Sequence, residues 1–149
     1  MMKATGIVRR IDDLGRIVIP KEIRRTLHIR ESDPLEIFTD REGQVILKKY
    51  SPIGEMTTFA KQYAESLAQV SGHATLIADR DQFIAVSGGC KQLLNKSVSR
   101  QLEEKVNNRE TVIAAKGDRN YVNIAEDIAV DYAWQLITPI ICEGDLIGS

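Results

Sequence analysis

The sequence is poor in several features that mark particular classes of protein. Only two of its 149 residues are cysteine, and Cys90 and Cys142 lack the C-x-x-C spacing of metal or redox sites. Aromatic residues make up 5% of the chain, which argues against one large aromatic-rich core. No run approaches the roughly 18 apolar residues of a membrane helix, and no apolar signal region is evident. We therefore expect a cytoplasmic protein with no membrane partner, no metal, no cofactor and two reduced, buried thiols.

Recognisable catalytic motifs are also missing from the sequence. His28 and His73 fall in different predicted modules, and neither lies in a triad signature. The loop at residues 87–91 has glycines and a lysine but lacks the GxxxxGK[ST] spacing that wraps a phosphate. The adjacent acids Asp12 and Asp13 suit a turn better than acid–base catalysis. The sequence therefore predicts a protein that is not an enzyme.

Positive charge is concentrated at one end of the chain. Residues 1–30 contain eight Lys or Arg side chains against three Asp or Glu, a net charge of +5, so the other 119 residues sum to −6. A basic segment of this kind either contacts a polyanion or forms a solvated face. Charge alone leaves both readings open.

The first 50 residues predict a hairpin, a short helix and a second hairpin. Residues 7–11 and 16–19 are β-branched runs separated by a turn with two acids and a glycine. Pro20 then precedes a helix of about two turns, and residues 35–39 and 44–48 form the second strand pair.

A segment of this size gives a small core with no disulfide or metal to support it. Several apolar side chains on the predicted strands need cover, namely Ile7, Ile17, Ile19, Ile37 and Leu47. A second copy of the same segment would bury them and would also cover the exposed strand edges. We therefore predict an obligate dimer through residues 1–53.

Residues 50–54 carry the turn-forming pattern of a domain boundary, which divides the chain into domains 1–53 and 54–149. Apolar residues from Met56 to Val70 recur at helical spacing and predict a long amphipathic helix, whose stripe suits packing better than a cofactor site. The remaining patterns predict strands at 74–78, 83–86, 111–115 and 135–141 and a helix at 97–108, with Val98, Leu102 and Val106 inward.

The second domain is therefore α+β. Its last apolar run, residues 146–148, resembles half of a hairpin. Because an unpaired apolar strand leaves an open sheet edge, we expect this domain to be incomplete at its C-terminus and the natural chain to continue.

Five arginines lie on three predicted elements of the basic segment. Arg9 and Arg10 are on the first strand, Arg16 opens the second, and Arg24 and Arg25 are on the helix. Guanidinium groups suit phosphate oxygens and guanine edges. A dimer would present each of them twice, enough to displace many condensed counterions. Nucleic acid is therefore the leading predicted ligand, and the resemblance described next narrows it to double-stranded DNA.

The run from Thr5 to Leu27 closely resembles the AbrB-type DNA-binding domain, in which an R-[IV]-V-I-P hinge precedes a helix with Arg-Arg; the match continues at 35–37 and 47–50. The resemblance implies an all-β swapped-hairpin barrel, dimeric and with one short helix per chain. By this similarity Arg9, Arg16, Arg24 and Arg25 carry the DNA contacts. Arg10 stays a candidate from its place on the strand.

Residues from about 56 onward resemble a GAF sensor domain. An AbrB-type domain joined to such a half is similar to the sporulation regulators of that family, which implies a sequence-selective transcription regulator of sporulation genes, activator or repressor, located on the nucleoid when bound to DNA. The Asn-Lys-Phe-Asp-Glu signature of cyclic-nucleotide binders is missing. An unidentified small-molecule effector therefore stays open beside oligomerisation, and the helix from Met56 to Val70 predicts a homotetramer.

A second function from another class is an antitoxin-type module that neutralises a partner toxin, because antitoxins of the MazE kind share the swapped-hairpin fold. Such proteins usually continue into a short flexible tail. Here a periodic, apolar region of 95 residues follows instead, which favours the regulator.

Overall fold

The computed structural model describes residues 3–149, and its internal contacts divide the chain into two units. The first unit extends to Tyr50 and the second begins at Ser51. In the part of the chain that the structure describes, no helix is both long enough and apolar enough to cross a bilayer. The same residues contain no cluster of three or more metal-ligating side chains.

The helix of the first unit, α1, spans Lys21–Thr26, which confirms the predicted short helix. It ends at a residue in an unusual conformation, because His28 has a φ of +51°. The N–H of Ile29 donates to the carbonyl of Arg24 at 2.8 Å, the six-to-one hydrogen bond of a Schellman cap. Glycine normally takes the left-handed position of such a cap, so His28 makes this turn against its own steric preference.

The second hairpin of the first unit is confirmed. Strand β1 (Leu35–Thr39) pairs antiparallel with β2 (Val45–Lys49), which begins one residue later than predicted. Ile37 lies opposite Leu47 at the centre of the pair. Both side chains nevertheless remain exposed, so the hairpin is formed by its ladder and not by a core of its own.

Of the first predicted hairpin, only the turn at residues 12–16 is formed. The N–H of Asp12 donates to the carbonyl of Arg16 at 3.0 Å, but residues 7–11 and 16–19 on either side are not strands in this single chain. The prediction of a hairpin within one chain is therefore wrong. Most of their β-branched side chains are exposed, Val8 to 85%, and only Ile19 is half-buried, so among the described residues neither segment packs on a sheet of its own chain.

The first unit as a whole lacks a core. Pro20 is its single buried residue among those described. Many large apolar side chains are exposed: Ile7, Val8, Ile11, Leu14, Ile17, Val18, Leu27, Ile37, Phe38, Val45, Leu47 and Tyr50. Burial of such side chains is the dominant favourable term in folding, so one copy of this unit leaves most of that term unused.

The second unit opens with a helical turn at the predicted domain boundary. Helix α2 spans Pro52–Glu55, because proline suits the first position of a helix, where its missing N–H would have no partner. Helix α3 (Thr57–Ser71) follows and confirms the predicted amphipathic helix. It ends at Gly72, whose φ of +73° is the left-handed conformation that glycine adopts without strain.

Helix α3 packs on the antiparallel hairpin of β3 (Thr75–Ala78) and β4 (Phe83–Ser87) through small residues. Ala60 and Ala64 are buried together with Ile84 of β4. The apolar stripe was expected to serve packing, and within this chain only its small residue Ala60 is buried, while its large side chains face outward. This outer stripe of α3 consists of exposed Met56, Phe59, Tyr63, Leu67 and Val70.

A larger core lies on the other side of the β4 strand. Helix α4 (Arg100–Asn107) begins at Ser99, whose side chain accepts the N–H of Leu102 at 3.0 Å. Leu102 and Val106 are buried as predicted, whereas Val98 precedes the helix and is only half-buried. Their cluster includes Phe83 and Leu93 together with residues of β5 (Val112–Ala115) and β6 (Trp134–Ile137), which pair antiparallel.

The strand predicted at 135–141 is interrupted. It divides into β6 and β7 (Ile140–Cys142) around Pro139, which cannot donate to a ladder. Strand β8 (Asp145–Gly148) pairs with β7 across a tight turn. Beyond it, Ser149 and Ala78 exchange two backbone hydrogen bonds of 2.7 and 3.0 Å, which join this hairpin to β3.

The two cysteines differ in environment. Both are free, but only Cys90 is partly buried. Cys142 lies at the end of β7 beside the turn and is exposed, so the prediction that both thiols are buried is wrong for this residue.

Candidate nucleic-acid interface

The turn at residues 12–16 is organised by one carboxylate. Oδ1 of Asp12 accepts the backbone N–H groups of Leu14 at 3.0 Å and of Arg16 at 2.7 Å. Gly15 donates its N–H to the Asp12 carbonyl at 3.1 Å and has a φ of +74° that other residues rarely adopt. An aspartate that bonds to the backbone ahead of it is typical of Asx turns. The local sequence therefore specifies this reversal without flanking strands.

Arg16 is held at the end of the same turn. Its Nε donates to Oδ2 of Asp12 at 2.8 Å, while 70% of the side chain stays exposed. Hydrogen bonds from the Arg16 backbone N–H and then from its guanidinium hold the pKa of the Asp12 carboxyl below the ordinary 3.8. The carboxylate is therefore ionised at neutral pH, and Arg16 presents a positioned cation to solvent.

Arg24 and Arg25 lie in the last turn of α1. The Nε of Arg24 donates to the carbonyl of Ile19 at 3.1 Å, which ties this side chain back across the start of the helix. Arg25 is exposed one residue further along. Arg25 lies near the helix C-terminus, where the partial negative charge of the backbone stabilises a cation, whereas the Arg24 guanidinium reaches back toward the start of the helix.

Arg9 and Arg10 lie on the extended segment before the turn, and both are exposed. Arg9 reaches only the neighbouring carbonyl of Val8, at 3.4 Å. The structure thus fixes Arg16 and Arg24 by hydrogen bonds, and it leaves Arg9, Arg10 and Arg25 as exposed cations on separate segments.

The second unit offers less that suits a ligand. A cavity of about 10 Å³ is lined by residues that include Asp79, Leu102 and Leu146, and it has room for no more than one water molecule. Elsewhere Cys90 contacts the hydroxyl of Tyr132, and burial together with this hydrogen bond raises the pKa of that phenol. The phenol therefore stays protonated at neutral pH, and the contact ties the loop at Cys90 to Tyr132.

Asp12 is the residue of this surface that sequence reasoning undervalued. From the sequence, the pair Asp12-Asp13 was expected only to form part of a turn. A signal was nevertheless present, because Asp12 stands four residues before Arg16 with Gly15 between them, the spacing at which the turn brings both side chains to one side.

Two family models match the chain. Residues 55–149, more than half of it, match the model described as Stage V sporulation protein T C-terminal, transcription factor. Residues 8–55 match the model described as antidote-toxin recognition MazE, bacterial antitoxin.

Known proteins with similar sequences point the same way. The chain is 57% identical over 149 residues to stage V sporulation protein T of Bacillus subtilis (strain 168), covering 99% of this chain and 83% of that protein. It is 43% identical over 108 residues to the transition state regulatory protein AbrB of the same organism, covering 72% of this chain and 93% of that one.

Solved structures include the N-domain of the transcription factor AbrB, which is 63% identical, covers 35% of this chain and 98% of its own, and gives a TM-score of 0.32. A second solution structure, of the N-terminal DNA recognition domain of the Bacillus subtilis regulator AbrB, is also 63% identical, covers 34% of this chain and 94% of its own, and has a TM-score of 0.30. The sequence identities confirm the resemblance read from residues 5–27: the chain belongs to the AbrB family of transcription regulators, in the group of stage V sporulation protein T.

Proposed function

We propose that this chain is a sequence-selective, DNA-binding transcription regulator of sporulation genes. The observation that carries the proposal is Arg16, a guanidinium held at an exposed turn within a basic segment. Transcription factors, the class to which its relatives belong, need cations that reach duplex phosphates and base edges. Arg9, Arg10, Arg24 and Arg25 supply further exposed cations of this kind. In this role the protein works in the cytoplasm, on nucleoid DNA.

The DNA-binding unit is an obligate dimer of residues 1–53, built as a swapped-hairpin barrel. The exposed β-branched side chains of residues 7–11 and 16–19 and the absence of strands there in one chain support pairing with a second copy. Such a dimer presents Arg16 twice, with the spacing between the two cations set by the twofold axis.

The second unit joins two such dimers into a homotetramer. Support comes from the outer stripe of α3, in which Val70 is 89% exposed and the rings of Phe59 and Tyr63 lie 5.0 Å apart. A stripe of this length suits packing against another helix. Light scattering should report tetramers of the full chain and dimers of Leu67→Glu. Dimers of the unsubstituted chain at micromolar concentration would remove this part of the proposal.

Residues 54–149, within the second unit, form a GAF-like regulatory domain. Phe83 belongs to the core with α4 and its neighbour Ile84 to the core with α3, so the two helices cover opposite faces of β4. A sheet between helices supports this assignment. The cavity lined by Asp79 and Leu102 is too small for an organic effector, so oligomerisation is the better supported task of this domain.

An antitoxin role is the second candidate, favoured by the match of residues 8–55 to the MazE model. The two functions predict different partners for the purified protein. Retention of genomic DNA fragments without any protein partner supports the regulator. A stoichiometric protein partner, with no DNA retained, supports the antitoxin.

A salt titration tests DNA binding directly. The logarithm of the affinity for a duplex should fall steeply and linearly with the logarithm of salt concentration, because each bound phosphate releases condensed counterions. In Arg16→Ala and in Arg24→Ala the slope should fall by about one to two per dimer, because each chain loses a cation. A response of the affinity that is flat with salt would reject the proposal.

A further inference from the structure

We infer that Asp12 is a positioning residue for Arg16, and that its second carboxylate oxygen fixes the direction of the guanidinium and so provides selectivity among DNA sequences. The inference rests on the proposed DNA-binding function. It gives a role to the negative charge of Asp12, which lies among the cations of the proposed DNA-binding surface.

The two oxygens of Asp12 do different work. Oδ1 accepts the backbone N–H groups of Leu14 and Arg16 and thereby shapes the turn. Oδ2 accepts the Nε of Arg16 at 2.8 Å. Shaping the turn needs only the first oxygen, so the second is free to hold the side chain.

The second turn of the same unit shows what the backbone alone requires. Oδ1 of Asp40 accepts the N–H groups of Glu42 and Gln44, both at 2.9 Å, and Gly43 has a φ of +82°. This backbone scheme repeats that of residues 12–16. The side chain that follows is directed elsewhere, because Nε2 of Gln44 donates to Oε2 of Glu42 at 2.9 Å. Asp40 therefore shapes its turn without holding a cation.

Electrostatics explains why the charge at Asp12 would favour selectivity over affinity. A carboxylate beside a phosphate repels it, so Asp12 weakens contact with any duplex. In return, a guanidinium held through Nε keeps its remaining donors in one direction, which suits a defined base edge or phosphate position. A freely rotating Arg16 would instead follow whichever phosphate is nearest.

The test uses the full chain and two duplexes of equal length, one taken from a genomic fragment that the protein retains and one of mixed sequence. Asp12→Asn keeps the amide oxygen for the turn but replaces Oδ2 with a donor. We expect its affinity for the mixed duplex to be unchanged or raised, and the ratio of the two affinities to fall about tenfold. Asp40→Asn is the matched control, with the same charge change in a second turn of the same backbone scheme, and should leave the ratio unchanged.

A double-mutant cycle assigns the effect to Arg16. In an Arg16→Ala background, Asp12→Asn should no longer change the ratio, because no guanidinium remains to be positioned. A merely structural role of Asp12 would lower both affinities together. The inference fails if Asp12→Asn leaves the ratio unchanged, as Asp40→Asn should, or if its effect persists without Arg16.

A measurement on the unsubstituted protein tests the inference without relying on whether the variants fold. If Oδ2 holds the side chain, the Nε–H group of Arg16 should give an ordered, slowly exchanging NMR signal in the absence of DNA, and a mobile signal would contradict the inference. An unsubstituted chain that binds neither duplex rejects the proposed function itself. Binding of both duplexes with no change of ratio in Asp12→Asn rejects only the role of Asp12.

Discussion

The two units of the chain use their apolar side chains in opposite ways. In the second unit Leu93 is 0% exposed and belongs to a buried cluster with side chains of α4, β5 and β6. In the first unit Ile37, at the middle of a formed strand pair, is 66% exposed. The second unit therefore carries its core within one copy of the chain, whereas the first exposes in one copy the apolar side chains that the proposed dimer would bury. Apolar residues on a strand therefore do not by themselves show that one copy of the chain buries them.

Leu93→Ala should give the largest change, because it leaves a cavity in the complete core. We expect the free energy of unfolding of the second unit to fall by about 2–5 kcal/mol, measured by denaturant titration. Its neighbour Leu94 is exposed, so Leu94→Ala should cost below about 0.5 kcal/mol. Equal losses for the two variants would contradict the placement of this core.

Ile37→Ala tests the incomplete core of the first unit. A side chain as exposed as this one in a single chain should cost little, whereas burial in a dimer predicts a loss of about 1–2 kcal/mol. The loss should appear as a transition whose midpoint rises with protein concentration. Arg41→Ala, in the exposed second turn, should leave this transition in place. A small, concentration-independent effect of Ile37→Ala would argue against the dimer.

The two units should also differ in how much their cations contribute to DNA affinity. Arg25→Ala removes an exposed cation of the first unit and should reduce the salt slope of DNA affinity by about one to two per dimer. Arg119→Ala removes an exposed cation of the second unit and should leave the slope unchanged. Equal slopes for both variants would show that DNA binding is not confined to the basic segment.

The smallest predicted effect concerns two carboxyls, one in each unit. Hydrogen bonds lower the pKa of Asp12 from 3.8, chiefly through the Arg16 backbone N–H, and that of Glu110 from 4.5, chiefly through the Lys105 side chain. Arg16→Ala keeps its backbone donor, so the pKa of Asp12 should rise but stay below 3.8, whereas Lys105→Ala removes the main cause of the lowered pKa of Glu110 and should raise it toward 4.5. Carboxyl-carbon NMR shifts followed through an acid titration would measure both.

The sign of the pH effect follows from the direction of these shifts. A carboxyl with a pKa lowered in the folded state stabilises that state above its unfolded pKa. The contribution is lost as pH falls through the folded pKa, below 3.8 for Asp12 and below 4.5 for Glu110. At neutral pH both contributions should be fully present, and neither should vary there.

Sequence patterns predicted the helices well because helical structure is local. The spacing of apolar residues gave α3 and the buried pair Leu102 and Val106 of α4, and Pro20 marked the start of α1. The direction of the α3 stripe was not predictable in this way. Alternation of size decided it, since the small residues Ala60 and Ala64 face the sheet and the large ones remain outside.

Strands and site contacts were harder to predict because they depend on partners distant in the chain. Residues 7–11 have strand composition, yet a strand forms only with something to pair with. Pro139 could be read as a break in the run at 135–141, but its effect on the ladder depended on the register with β5 and β8. The five arginines could be identified from the sequence as candidate DNA contacts, whereas the hydrogen bond from Arg16 to Asp12 became evident only from atomic positions.

The repeated geometry of residues 12–16 and 40–44 bears on which side chain each turn displays. The chain contains two loops with the same backbone hydrogen-bond scheme, each closed by its own aspartate and glycine, and their fifth residues differ, Arg16 in one and Gln44 in the other. In the proposed DNA-binding role, a change of this fifth residue would alter what the loop displays, while the aspartate and glycine keep the backbone path that carries it.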